Sequence, residues 1–126
     1  MSLEPLLPSE VENRRAIQTK LDELNVIWRN YVDHARALMD EWEKVKVKLL
    51  EKISRTESLL SSVNEELEKL NLEIVLGLAN EDEKKDEKSK LEERKSLLEA
   101  RLKALQEFLE SIEGQVLEHG ERLKDI

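Results

Sequence analysis

From Ser9 to Leu76 the chain contains neither glycine nor proline. A run of about 67 residues without a helix breaker reaches on the order of 100 Å if it is helical throughout. That is far beyond the three or four turns usual in globular proteins. The breakers that do occur divide the chain. Pro5 and Pro8 fall in an unpatterned leader, residues 1–8. Ser9 is followed three positions later by Glu12, the reciprocal pair that satisfies orphan amides at a helix start. This spacing predicts that the first helix begins at Ser9. It predicts an end at Gly77, which can adopt the left-handed conformation of a helix C-terminus.

Within this run the apolar residues step by four and three: Ile17, Leu21, Leu24, Trp28, Tyr31, Ala35, Leu38, Trp42, Val45 and Leu49. One extra four-residue step leads to Ile53, and the pattern resumes through Thr56, Leu60, Val63, Leu67, Leu70 and Ile74. An insertion of this kind unwinds a supercoil locally without breaking the helix. The segment 77–88 is dense in charge and reads as a solvated turn with a frayed helical start, with either Asn80 or Ser89 as the cap of a second helix. That helix, placed at 89–124, carries Leu91, Leu98, Leu102, Leu105, Leu109, Ile112, Val116 and Leu123. Leu97, Ala104 and Phe108 widen its stripe. A widened stripe suits a bundle of three or four helices better than a two-stranded coil. Gly114 and Gly120 each weaken the helix by about 1 kcal/mol relative to Ala. Acid-before-base pairs at Asp40/Lys44, Glu51/Arg55, Glu65/Lys69, Glu99/Lys103 and Glu118/Arg122 are expected on the outer faces, where each adds only about 0.2–0.5 kcal/mol.

The fold class that follows is all-α, a very long first helix with a shorter antiparallel second helix. A break of the first helix near Met39 to Val45 would instead give a self-contained three-helix bundle, but no breaker stands there. The two helices do not match in length. A second helix of some 35–40 residues covers the first only from about residue 40 to 76. The stripe Ile17, Leu21, Leu24, Trp28, Tyr31, Ala35, Leu38 and Trp42 is then the candidate partner-binding face. Burying one large apolar side chain is worth roughly 1.5–3 kcal/mol, so another helix is expected to cover it. A bundle completed by oligomerisation, with a dimer favoured, is the expected state.

The function classes narrow through composition. Only four residues are aromatic (two Trp, one Tyr, one Phe), against 29 acidic and 21 basic. That leaves little core for a conventional globular enzyme. The net charge is -8, and none of the segments 1–40, 41–76 and 77–126 is net basic. A nucleic acid or an anionic membrane would be attracted by the opposite sign. There is no cysteine, hence no disulfide or thiolate zinc site. No apolar run approaches the roughly 20 residues of a membrane span, and the N-terminal stretch lacks the pattern of a secretory signal. A soluble, intracellular protein is expected.

Chemistry has few candidates. His34 and His119 do not form a pair, and Tyr31 and Val116, three positions before them, rule out the Glu-x-x-His motif of metal-binding bundles. His119 falls on the apolar seam and reads as a partly solvated seam residue. Ser54, Ser58, Ser61 and Ser62 have no histidine nearby in sequence and no glycine-flanked turn. No glycine-rich phosphate loop occurs. The expectation is a protein that is not an enzyme, with no catalytic, metal or cofactor-binding residues and no cofactor.

The residues Ile17 to Trp28, followed by Tyr31, Leu38 and Trp42, resemble the third helix of a spectrin repeat. Leu49 to Ile53, followed by Glu57 and Leu60, resembles the first helix of the next repeat. Lys103 to Leu109, continuing through Val116 to Leu123, is similar to a second helix with its late glycine at Gly120. Two family positions depart from the pattern: Lys52 stands where a tryptophan is usual, and Leu38 where a basic residue is common. The resemblance implies that residues 9–41 correspond to a third helix and residues 42–126 to a partial repeat, with a first-helix-like part at 42–76. It implies a structural scaffolding module of a cytoskeletal rod, in the cytoplasm and associated with the cytoskeleton. Its partners would be protein helices, its own or those of a cytoskeletal protein. The alternatives are a self-associating coiled-coil adaptor or an artificial helical bundle. Membrane remodelling by a curved helical dimer would need a cationic face that no segment offers. A carboxylate-metal enzyme would need bound metal.

Overall fold

The computed structural model describes residues 5–124. Helix α1 spans Pro8–Val75, 68 residues without a break, and helix α2 spans Glu81–Lys124, 44 residues, packed back along it. The absence of any interruption near Met39 to Val45 rejects the three-helix alternative. The all-α fold, a very long first helix with a shorter antiparallel second, is the architecture observed.

Each end of the hairpin has a local cause. The first helix starts one residue earlier than the Ser9/Glu12 pair predicts. Pro8 occupies the first helical position, where its fixed φ suits the helix and its missing N–H costs nothing. The Leu7 N–H donates to Glu10 Oε1 at 3.0 Å, so Glu10, not Glu12, closes the first turn. At the other end Gly77 has φ 73°, as expected. The Leu78 N–H donates to the Glu73 carbonyl at 2.8 Å and the Gly77 N–H to the Ile74 carbonyl at 3.1 Å. This is the paired Schellman closure of orphan carbonyls.

Of the charged segment 77–88 only the first four residues form the turn, and the rest, expected as a frayed start, is regular helix from Glu81. Asn80, not Ser89, is the cap: its Oδ1 accepts from the Asp82 N–H at 2.9 Å. Glu81, Asp82 and Glu83 fill the first turn, where negative charge is favoured by the helix dipole. These caps let a stretch with almost no apolar residues start a helix. The second helix is therefore longer than the sequence alone suggests.

The core is a single narrow seam. Ala35, Trp42, Leu49, Ile53, Thr56, Val63, Leu67 and Leu70 are buried on α1, in phase through the extra step at Ile53. Thr56, the polar member, donates its hydroxyl to the Lys52 carbonyl at 2.7 Å. On α2 only Val116 is buried, and Leu91, Leu98, Leu102, Leu105, Leu109, Ile112 and Leu123 are half-buried. One neighbouring helix covers only one side of a stripe wide enough for two. None of the five expected acid-before-base pairs forms. The ion pairs within 4.0 Å among the described residues are Lys46–Glu113, Lys84–Glu87, Lys95–Glu99, Lys103–Glu107 and Lys124–Glu121. Exposed pairs differ too little in energy for spacing to select one partner.

Candidate functional site

The expected partner-binding stripe divides in two. Because α2 is long, its last turns lie beside residues 31–42 of α1 and not only beside residue 40 and beyond. Ala35 and Trp42 are each only 5% exposed, held within the hairpin. Tyr31 is half-buried, and its hydroxyl lies 2.7 Å from His119 Nδ1 on α2. In the single chain Ala35 and Trp42 therefore lie in the intrachain core and Tyr31 at its edge, so only part of the eight-residue stripe is open. Ile17, Leu21, Leu24, Trp28 and Leu38 remain exposed, with Leu24 at 61% and Trp28 at 44%.

The apolar side chains of the open part of the seam all come from α1. Its four-three spacing keeps Ile17, Leu21, Leu24 and Trp28 in phase with buried Ala35 and Trp42, so the stripe points along the line that α2 follows until its C-terminus. Trp28 stacks on Tyr31 with ring centroids 5.6 Å apart and planes at 20°. Tyr31 in turn meets the His119 ring at 5.8 Å. Thus exposed Trp28 is braced, through Tyr31, by a contact between the two helices. Around it lies an open groove of about 730 Å³ lined by Leu24, Asn25, Ile27, Trp28, Tyr31 and Arg122. Its floor is apolar and its rim carries a guanidinium.

Ile27 and Arg122 join this groove although the stripe of sequence positions omits them. Ile27 stands three residues after Leu24 and next to Trp28, a signal that a strict four-three count passes over. Arg122 had no sequence signal, because its nearness to Trp28 depends on where α2 stops. His119 was legible as a seam residue, but not as the partner of Tyr31.

Inside the hairpin, the Trp42 Nε1–H donates to a carboxylate oxygen of Glu113, and Lys46 Nζ lies 2.9 Å from its other oxygen. Lys46, followed by the Trp42 donor, holds the Glu113 carboxyl below the ordinary value of 4.5. The same contact, outweighing partial desolvation, raises Lys46 above 10.5. Trp42 also stacks on Phe108 at 6.3 Å. This arrangement clamps the two helices together. Among the described residues, no group of three His, Asp or Glu side chains is placed to hold a metal ion. No described helix is long and apolar enough to cross a membrane.

No known protein family, curated protein or solved structure matches the chain.

Proposed function

We propose that the protein is a structural module that associates with other helices through the open seam of α1, in the manner of a piece of a spectrin-like rod. The observation that carries this reading is the continuity of the seam. The apolar pattern that packs Ala35, Trp42 and Leu49 against α2 runs on, unchanged in phase, through Trp28, Leu24, Leu21 and Ile17, all of which are exposed. An exposed contiguous apolar stripe of this kind marks an interaction surface. Trp28 over an apolar groove has the character of a binding hot spot. The mechanism is geometric: α1 is one uninterrupted helix, so a partner held on its open part is fixed in orientation relative to the hairpin. The role is non-enzymatic, and a cytoskeletal setting follows from the likeness to a rod segment.

Light scattering across concentration, on the intact chain and on Leu21→Glu/Leu24→Glu, tests it. Both side chains are exposed in the single chain, so the substitution leaves the hairpin folded and circular dichroism stays helical. The intact protein is expected above its 14.7 kDa chain mass, alone or mixed with a spectrin-like helical partner, and the variant at the chain mass. An intact chain that stays monomeric alone and with such a partner overturns the proposal.

A further inference from the structure

We propose that a second surface, the groove along one flank of the hairpin, docks an acidic amphipathic helix of another protein. This surface is separate from the open seam of α1 and does not depend on it.

The two flanks of the seam between α1 and α2 differ in chemistry. One is fixed by its contacts, since Lys46 Nζ lies 2.9 Å from Glu113 Oε1 and Gly120 stands close to Met39. At about 100° per residue, Val45 and Ile112 fall on the other side of the seam from their neighbours Lys46 and Glu113. Both pack against the buried core of Trp42, Leu49 and Val116. The second flank therefore runs along Val45 on α1 and Ile112 on α2.

From Val45 the α1 line steps by three and four through Lys48, Lys52 and Arg55 to Leu59. From Ile112 the α2 line runs back through Phe108, Ala104, Arg101 and Leu97 to Arg94. Five cations and no acid stand on these lines, in a chain whose net charge is -8. All five are exposed, and among the described residues none is in an ion pair within 4.0 Å. The antiparallel register that joins Tyr31 to His119 and Lys46 to Glu113 sets Lys52 level with Arg101 across the groove. Like charges at one level repel, a cost to the single chain that a carboxylate placed between them removes.

The apolar members decide what kind of anion fits. Leu59, Leu97 and Phe108 are exposed among the cations, and phosphates would leave them uncovered. The α1 line turns acidic at Glu41 and Glu66, so a nucleic acid or a flat anionic membrane would meet repulsion at both ends. Between Val45 and Leu59 the basic part is about four turns of helix long. A helix with an apolar ridge between two acidic edges matches it. The ridge covers Leu59, Leu97 and Phe108, while the edges face Lys48 and Lys52 on one side and Arg94 and Arg101 on the other. The open stretch of a second copy does not supply such edges. Over residues 10–30 it sets Glu10, Glu12, Asp22 and Glu23 against Arg14, Arg15, Lys20 and Arg29, which leaves no net negative charge.

The test titrates the full chain into a fluorescent helical peptide with a leucine ridge and glutamate edges, read by anisotropy. Binding is expected, weakened by salt and absent when the glutamates are replaced by lysines. Lys52→Glu/Arg101→Glu should weaken it by about tenfold or more, and Leu97→Gln should weaken it less. All three side chains are exposed, so circular dichroism should remain helical. Leu21→Glu/Leu24→Glu, which disables the open seam, should leave peptide binding unchanged. Binding lost in that variant but kept in Lys52→Glu/Arg101→Glu would place the helix on the seam and overturn the proposal. So would equal binding of a peptide whose ridge is alanine, because charge alone would then suffice. No binding of the acidic peptide, with or without binding of phosphatidylserine vesicles or duplex DNA, overturns it too. Self-association abolished by Lys52→Glu/Arg101→Glu would assign the groove to a second copy and overturn the choice of a foreign helix.

Discussion

Trp42 ties the two helices together through three kinds of contact. Its ring is buried among Leu49, Val116 and the half-buried Met39, Val45, Leu105, Leu109 and Ile112, it stacks on Phe108, and its indole N–H is satisfied by Glu113. Trp42→Ala is expected to destabilise the fold by about 3–5 kcal/mol, measured by chemical denaturation. The Glu113 clamp adds a pH dependence. Its carboxyl is lowered in the folded chain, so its contribution is present above the ordinary carboxylate range and is lost as pH falls through the folded value. Lys46 is raised, so its contribution is present below 10.5 and lost as pH rises through its folded value. The clamp therefore acts between these limits. Glu113→Gln should lower the melting temperature near neutral pH and flatten the acid limb of a plot of melting temperature against pH. An unchanged acid limb would count against the clamp. The place of Trp42 on the seam is legible in its heptad position. Glu113 is not, because it lies 71 positions away in sequence and only the register of α2 brings it opposite Trp42 and Lys46.

The two helices owe their lengths to different things. For α1 it is the lack of any breaker between Pro8 and Gly77 together with an apolar stripe along most of it, all visible in the sequence. For α2 it is a cap: Asn80 and three acidic residues start the helix in a stretch too polar for periodicity to reveal. The glycines of α2, equivalent by propensity, differ in their surroundings. A Cβ at Gly114 would meet nothing within 4 Å, whereas one at Gly120 would lie 3.1 Å from Met39 Cε on α1. Gly114→Ala is therefore expected to stabilise the hairpin by about 0.8–1.0 kcal/mol, the full gain in helix propensity. Gly120→Ala must displace the Met39 methyl and is expected to gain less. Thermal melts of the two variants side by side check this, and equal gains would mean that Met39 does not press on α2. The second glycine thus marks a close approach of helices.

At the scale of the whole molecule the outcome is a rod. A compact chain of this length has a radius of gyration of about 14 Å, and an α1 of 68 residues extends about 100 Å. X-ray scattering in dilute solution is expected to give a radius of gyration about twice the compact value. A value near 14 Å would mean that α1 breaks and folds back on itself. By itself the sequence determined the all-helical class, the continuous first helix with its extra four-residue step, and the line of the seam. Each follows from backbone propensity and side-chain spacing within a few turns, which are local properties. Only the tertiary structure decided where the seam is closed and where it is open. It drew Ala35 and Trp42 inside, set Tyr31 at the edge and left Ile17, Leu21, Leu24 and Trp28 outside. That boundary depends on the true start of α2 and on the antiparallel register that the Gly77 turn imposes. Both bring together residues far apart in the chain, and no local pattern records such pairings.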